Sequence, residues 1–237
     1  MEHQINWIQL NSTLLKFIEK KGRRGQRPQF GDHVEIQTTF LNAEFEKEVE
    51  KLQIGYGLSE SARLLELSAL SMDEGEVSQF RAKLSTGEDV NYEINLIQIV
   101  SHLPHVSQWE LPQLLSAIKH FKERGVALYK EKDIVSSFHA FSRALKLAIP
   151  VEVKYNQETA SSNVREISEY EMEIVGLIPS LYNNLGACHL EQKNYDQVVE
   201  VSDQAMKRSP NDVKAIFRRS SALIGNVFVL SQIKTNK

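Results

Sequence analysis

Lys214 and Arg218 stand four residues apart, and a helix through them brings both cations out on one face. An ammonium and a guanidinium so placed can hold carboxylates through charge-assisted hydrogen bonds, which are stronger than neutral ones. A lone Lys-x-x-x-Arg pair is more often a solvated face than a site, so its weight rests on its surroundings. Other chemistry is thinner. The seven histidines (His3, His33, His102, His105, His120, His139 and His189) show no metal-ligand spacing, and His102 and His105 flank Pro104 without a cysteine or acidic partner in register. No metal and no cofactor is expected. Cys188 adjoins His189, but neighbouring helical residues diverge by about 100° and form no dyad; a small buried thiol is the expectation. Neither Gly-x-Gly-x-x-Gly nor a P-loop occurs. Lys20-Lys21-Gly22-Arg23-Arg24-Gly25-Gln26-Arg27 holds five basic residues. A solvated turn is the plainer reading of that run, with RNA, an acidic partner or a nuclear import signal as alternatives.

Composition bounds these possibilities. The 237 residues carry a net charge of -3, which argues against wholesale nucleic-acid binding. A single cysteine rules out an internal disulfide and fits a reducing compartment. No apolar stretch approaches the roughly 20 residues that cross a bilayer, and Met1 to Leu10 lacks the basic-then-apolar order of a secretory signal. The expected compartment is the cytoplasm, with the nucleus as a second.

Two textures meet near residue 105. Leu14–Ile18, His33–Gln37 and Asn91–Ile97 alternate in polarity with period two, the pattern of half-buried strands. Gly22, Gly25, Pro28 and Gly31 punctuate the gap between the first two. Ala62, Leu65, Ala69 and Met72 recur at helical intervals, with Ser59 as the expected N-cap and Gly75 as the expected stop. One helix on a small antiparallel sheet makes an α+β domain over 12–100. A linker over 101–111 leads to an all-α array over 112–230, with amphipathic helices in 112–148 and 170–224. The polar run from Tyr155 to Ser168 between them reads as an exposed loop or an extended helix end.

The helical half repeats. Gly186 and Ser220 lie 34 residues apart, the tetratricopeptide period. Ala144 follows Gly125 by 19 residues, Ala205 follows Gly186 by the same 19, and Pro210 follows Gly186 by 24. The small residues suit close packing of the two helices within each repeat. About two full repeats and a shortened third are expected, because Asn226–Ser231 stands where another helix should begin. Repeat arrays need capped ends, so that terminus is expected to fray.

This half resembles the tetratricopeptide family, in particular its carboxylate-clamp members. The resemblance implies that Lys122, Asn184, Lys214 and Arg218 converge across stacked helices on the C-terminal Glu-Glu-Val-Asp of a 90- or 70-kilodalton heat-shock chaperone. Val126 departs from the pattern, standing where many clamps carry a second asparagine.

The first half resembles the FKBP-type immunophilins. Gly22–Val34, Ile54-Gly55-Tyr56-Gly57, Met72-Asp73-Glu74-Gly75-Glu76, Tyr92–Leu96 and Trp109-Glu110 carry the likeness. The family lines its prolyl-isomerase pocket with aromatic residues. Here Thr38 stands for a tyrosine, Leu65 for a tryptophan and Phe45-Glu46 for a Phe-Asp pair, while Tyr92 keeps its ring. The family's long loop before the last strand has shrunk to Ser85–Val90. These losses imply a non-catalytic domain used for contacts with client or adaptor proteins; a slow tethered isomerase and a scaffold without a working clamp are the alternatives. No nucleic acid and no membrane is expected as a partner.

Overall fold

The computed structural model describes residues 6–41, 48–159 and 167–235, with backbone alone for Glu48 and 228–235. The chain forms two compact units, Met1–Trp109 and Glu110–Lys237.

The first unit is α+β. Its strands are β1 (Ile8–Asn11), β2 (Leu14–Lys20), β3 (His33–Phe40), β4 (Glu48–Gln53), β5 (Val77–Lys83) and β6 (Asp89–Ser101), with helix α1 (Glu60–Leu70) between β4 and β5. They form one antiparallel sheet in the order β1-β2-β5-β6-β3-β4. Period-two alternation turns Val34, Ile36 and Thr38 of β3, Phe80 and Ala82 of β5, and Tyr92, Ile94 and Leu96 of β6 to one buried face. Ala69 at the end of α1 and Met72 just beyond it complete that core.

The Ser59 hydroxyl caps α1 by accepting from the Ala62 amide at 3.2 Å. The helix stops at Leu70, before the expected Gly75, because Ser71 and Met72 tighten its end through bonds to the carbonyls of Ser68 and Ala69. Gly75 serves the next turn instead. It adopts φ 80°, and its amide reaches the Leu96 carbonyl at 2.7 Å.

Strand β2 holds a surprise for pattern reading. Leu14 and Lys16 are its buried residues, while Leu15, Phe17 and Ile18 are only half-buried. The Lys16 ammonium sits 2.6 Å from Glu76 Oε1, with both side chains 3% exposed. It also donates to the Ser71 carbonyl, and Glu76 accepts from the Ser78 hydroxyl at 2.6 Å and the Asp73 amide at 3.0 Å. A buried ion pair persists only when its spare hydrogen-bonding capacity is filled in this way.

The second unit comprises α2 (Leu111–Lys130), α3 (Ile134–Thr159), α4 (Glu169–Glu191), α5 (Tyr195–Arg208) and α6 (Val213–Thr235). The polar run beginning at Tyr155 starts as the end of α3 and stays helical to Thr159. Each helix packs on the next, and α4 also touches α2 and α6, so α2, α4 and α6 stand in a row. The repeat spacing has a steric basis. A Cβ on Gly125 would lie 2.6 Å from the Phe141 ring of α3, and one on Gly186 would lie 3.3 Å from Val201 of α5. Ala144 and Ala205 are fully buried.

The turns after α2 and α4 are alike. Lys132 and Lys193 both take left-handed φ (67° and 58°), and the amides of Asp133 and Asn194 reach back to Leu128 and His189 at 3.0 and 2.9 Å. The α6 backbone runs as helix to Thr235, so Asn226–Ser231 lengthens α6 instead of standing outside a helix. Among the described residues no helix is long and apolar enough to cross a membrane.

Candidate functional site

Between α2, α4 and α6 lies a groove of about 410 Å³, lined by Tyr129, Ala187, Leu190, Glu191, Val213, Lys214, Phe217 and Arg218. Its cationic side is built from the start of α6. Asp212 caps that helix, its Oδ1 accepting from the amides of Lys214 at 2.9 Å and Ala215 at 3.1 Å. The other carboxylate oxygen of Asp212 accepts from the Asn183 side-chain amide at 2.5 Å. Asn183, 4% exposed, accepts in turn from Arg218 Nη1 at 3.3 Å. Cap, buried amide and guanidinium therefore orient one another. Lys214 is exposed, and among the described residues no carboxylate pairs with it.

One acidic residue, Glu191, also lines the groove. The Tyr129 hydroxyl donates to Glu191 Oε1 at 3.0 Å. Burial pushes the Tyr129 phenol up; the Glu191 hydrogen bond and charge add to the rise, and Arg218 opposes it.

In the first unit the isomerase-pocket positions are occupied by packing. Thr38 is buried and donates to Glu50 Oε1 at 3.3 Å. Leu65 is half-buried on α1 against the core. The Tyr92 hydroxyl is held by the Ser68 hydroxyl at 2.8 Å, and its ring stacks on Phe80 with centroids 5.4 Å apart. Burial drives its phenol far up, with the Ser68 bond acting the other way. The short turn between β5 and β6 is pinned to the first turn of α1, where Glu60 accepts from the Ser85 amide at 2.7 Å and hydroxyl at 2.8 Å. Those two bonds, the backbone one first, hold the Glu60 carboxyl below its usual range. Phe45-Glu46 lies outside the described residues.

No protein-family model matches the chain. Protein Bride of doubletime of Drosophila melanogaster is 27% identical over 173 residues, covering 72% of this chain and 57% of that protein. FK506-binding protein 5 of Rhizopus delemar is 30% identical over 118 residues, covering 48% of this chain and 28% of that protein. The Hsp70/Hsp90 co-chaperone CNS1 of Saccharomyces cerevisiae is 29% identical over 104 residues, covering 44% and 21%. A crystal structure of residues 1–211 of CG17282 superposes with a TM-score of 0.63 at 22% identity, covering 81% of this chain and 96% of that one. The chain is FKBP-like, with a tetratricopeptide array. It spans little more than half the length of the Drosophila relative and less of the other two.

Within this FKBP-like tetratricopeptide protein, the four clamp candidates fall unequally. Lys214 and Arg218 border the groove; Lys122 and Asn184 do not. Lys122 precedes Tyr129 by seven residues on α2, and Asn184 precedes Glu191 by seven on α4. Seven residues are close to two turns, so both stand on the helix faces that the groove continues. Sequence reading missed Asn183, Asp212, Tyr129 and Glu191. Of these only Asp212 carried a local signal, as a capping residue just before a helical pattern. Among the described residues no group of three or more histidines, cysteines or carboxylates is placed to hold a metal ion.

Proposed function

We propose that the array is a carboxylate clamp and that this chain is a co-chaperone or adaptor of the cytoplasm. Its ligand is the Glu-Glu-Val-Asp tail of a 90- or 70-kilodalton heat-shock chaperone. The observation that carries this reading is the placement of Lys214 and Arg218 in one groove beside Phe217, with Arg218 oriented by Asn183. A tail offers a side-chain carboxylate and a terminal one to those two cations, and an aliphatic side chain to Leu190, Val213 and Phe217. Lys122 and Asn184 extend the same faces and meet the residues further upstream. A co-chaperone of Hsp70 and Hsp90 among the relatives supports the reading.

The FKBP-like domain serves protein contacts and does not catalyse. Rotation about a peptide bond faces a barrier of about 18–20 kcal/mol, and lowering it requires an open apolar pocket for a twisted amide. Tyr92 is instead tied to Ser68 and stacked on Phe80 within the core.

Calorimetric titration with Met-Glu-Glu-Val-Asp, free and C-terminally amidated, tests the clamp. Salt-sensitive binding that is lost on amidation and in Lys214→Ala is expected. Binding that ignores the terminal carboxylate would defeat it. A proline-isomerisation assay tests the first domain, where turnover above background would overturn the non-catalytic reading.

A further inference from the structure

A cavity of about 590 Å³ lies in the first unit, where the turn between β1 and β2 meets the end of β5 and the start of β6. We propose that it is an oxyanion site, taking the phosphate monoester of a phosphorylated protein segment. The site belongs wholly to the first unit and does not depend on the clamp reading.

Strand register assembles the lining. Gln9 of β1 faces Leu15 of β2, Leu15 faces Arg81 of β5, and Arg81 faces Asn91 of β6, so one row crosses four strands. Lys83 follows Arg81 by two residues and also lines the cavity. Phe80 and Ala82 are buried, so the pleat turns Arg81 and Lys83 away from the core. Ser12 joins from the turn, and Asp89, across from Lys83 in register, is the one carboxylate among the described lining residues.

The donors of this lining are unspent. Arg81 is held by a ring and not by a charge: its Cζ lies 4.3 Å from the Trp7 ring centroid, and Trp7 packs on Phe17 with centroids 5.9 Å apart. Among the described residues no carboxylate pairs with Arg81 or Lys83, and the side chains of Ser12 and Asn91 make no hydrogen bond. The basic run of the first unit differs, because Arg23 and Arg27 are answered there by Glu74 and Asp73.

A guanidinium resting on an aromatic ring keeps its planar fork for a bidentate oxyanion. A phosphate monoester carries about −1.5 to −2 charges at neutral pH and three acceptor oxygens. Two free cations with hydroxyl and amide donors beside them match that group better than they match a single carboxylate. Asp89 opposes any anion there, which gives its removal a predicted direction.

Fluorescence anisotropy on the full chain tests the proposal with a labelled phosphoserine peptide and its unphosphorylated twin. Both are amidated at the C-terminus, so neither offers a terminal carboxylate to the clamp. The phosphopeptide is expected to bind in a salt-sensitive way and the twin is not. Arg81→Gln and Lys83→Gln should each weaken binding about ten-fold, and Asp89→Asn should tighten it. Equal binding of the twin, or unchanged binding in Arg81→Gln shown folded by circular dichroism, overturns the proposal. Loss of binding in Lys214→Ala would place the peptide in the helical groove, and loss in Arg24→Gln on the basic run; either result overturns it. Inorganic phosphate should compete only weakly, and displacement at the peptide's own concentration would make this a site for the free ion and overturn the assignment to a protein segment. A folded natural protein that binds no phosphopeptide overturns the proposal and leaves the clamp untouched.

Discussion

The guanidinium of Arg218 donates to the side-chain oxygen of Asn183 at 3.3 Å. The nitrogen of that amide is committed to Asp212, which caps the helix carrying Arg218. One buried amide thus couples the orientation of a groove cation to the docking of its helix. Asn183→Ala should leave Asp212 and Arg218 each short of a partner, at about 1–3 kcal/mol of array stability. Tail affinity should fall several-fold while the contribution of Lys214 persists. Urea unfolding followed by circular dichroism, with anisotropy on the same samples, measures both. Unchanged stability and unchanged affinity would refute the coupling.

The two repeat glycines differ in how closely they are approached. A methyl group at Gly125 would meet the Phe141 ring at 2.6 Å, whereas at Gly186 the nearest atoms are Val201 Cγ2 at 3.3 Å and Arg218 Cδ at 3.4 Å. Overpacking of the first kind costs about 1–3 kcal/mol. At Gly186 the strain is smaller, and the helix-propensity gain of about 0.8–1 kcal/mol offsets part of it. Gly125→Ala should therefore melt clearly below Gly186→Ala. Parallel thermal melts decide the order.

The Lys16–Glu76 pair should be costly to break and cheap to replace. Lys16→Met leaves Glu76 buried without its cation, an expected loss of about 3–5 kcal/mol. Adding Glu76→Leu should recover much of it, although the Ser78 hydroxyl and Asp73 amide then lose their acceptor. Both tryptophans, Trp7 and Trp109, belong to the first unit, so tryptophan fluorescence in urea reports on it selectively. A double variant no more stable than Lys16→Met would show that the pair is not the source of the cost.

Burial lowers the His189 pKa below 6.5, against the smaller opposing charge of Glu200. Its ring packs edge-on to Phe138 at 5.1 Å, and its Nδ1 is buried with no hydrogen-bond partner among the described residues. In the window between its depressed folded value and about 6.5, the unfolded chain binds the proton and the folded one does not. Stability therefore rises with pH through that window and is lost on acidification. His189→Gln should flatten this slope in melts taken from pH 5 to pH 7; an unchanged slope would assign it to other groups.

Local rules made much of the molecule legible. The spacing of Gly125, Ala144, Gly186 and Ala205 marks where helices approach, because only small side chains permit that approach. Ser59 and the strand alternation in β3 and β6 read correctly for the same reason: caps and pleats depend on neighbours within a few residues. The end of α1 did not, since Gly75 is spent on a turn whose hydrogen-bond partner, Leu96, is twenty-one residues away.

What the sequence determined by itself was therefore the architecture: an α+β half, a helical array, its period, and a pair of cations on one helix face. The tertiary structure alone decided the company those groups keep. Lys16 points inward because Glu76 waits on a strand-end turn sixty residues later. Asn183, rather than its neighbour Asn184, holds Arg218, and Glu191 lines the same groove as the cations. Periodicity assigns a residue to a face of its own helix. Which charges share a groove depends on how three separate helices pack, and that is settled by the summed fit of their buried side chains.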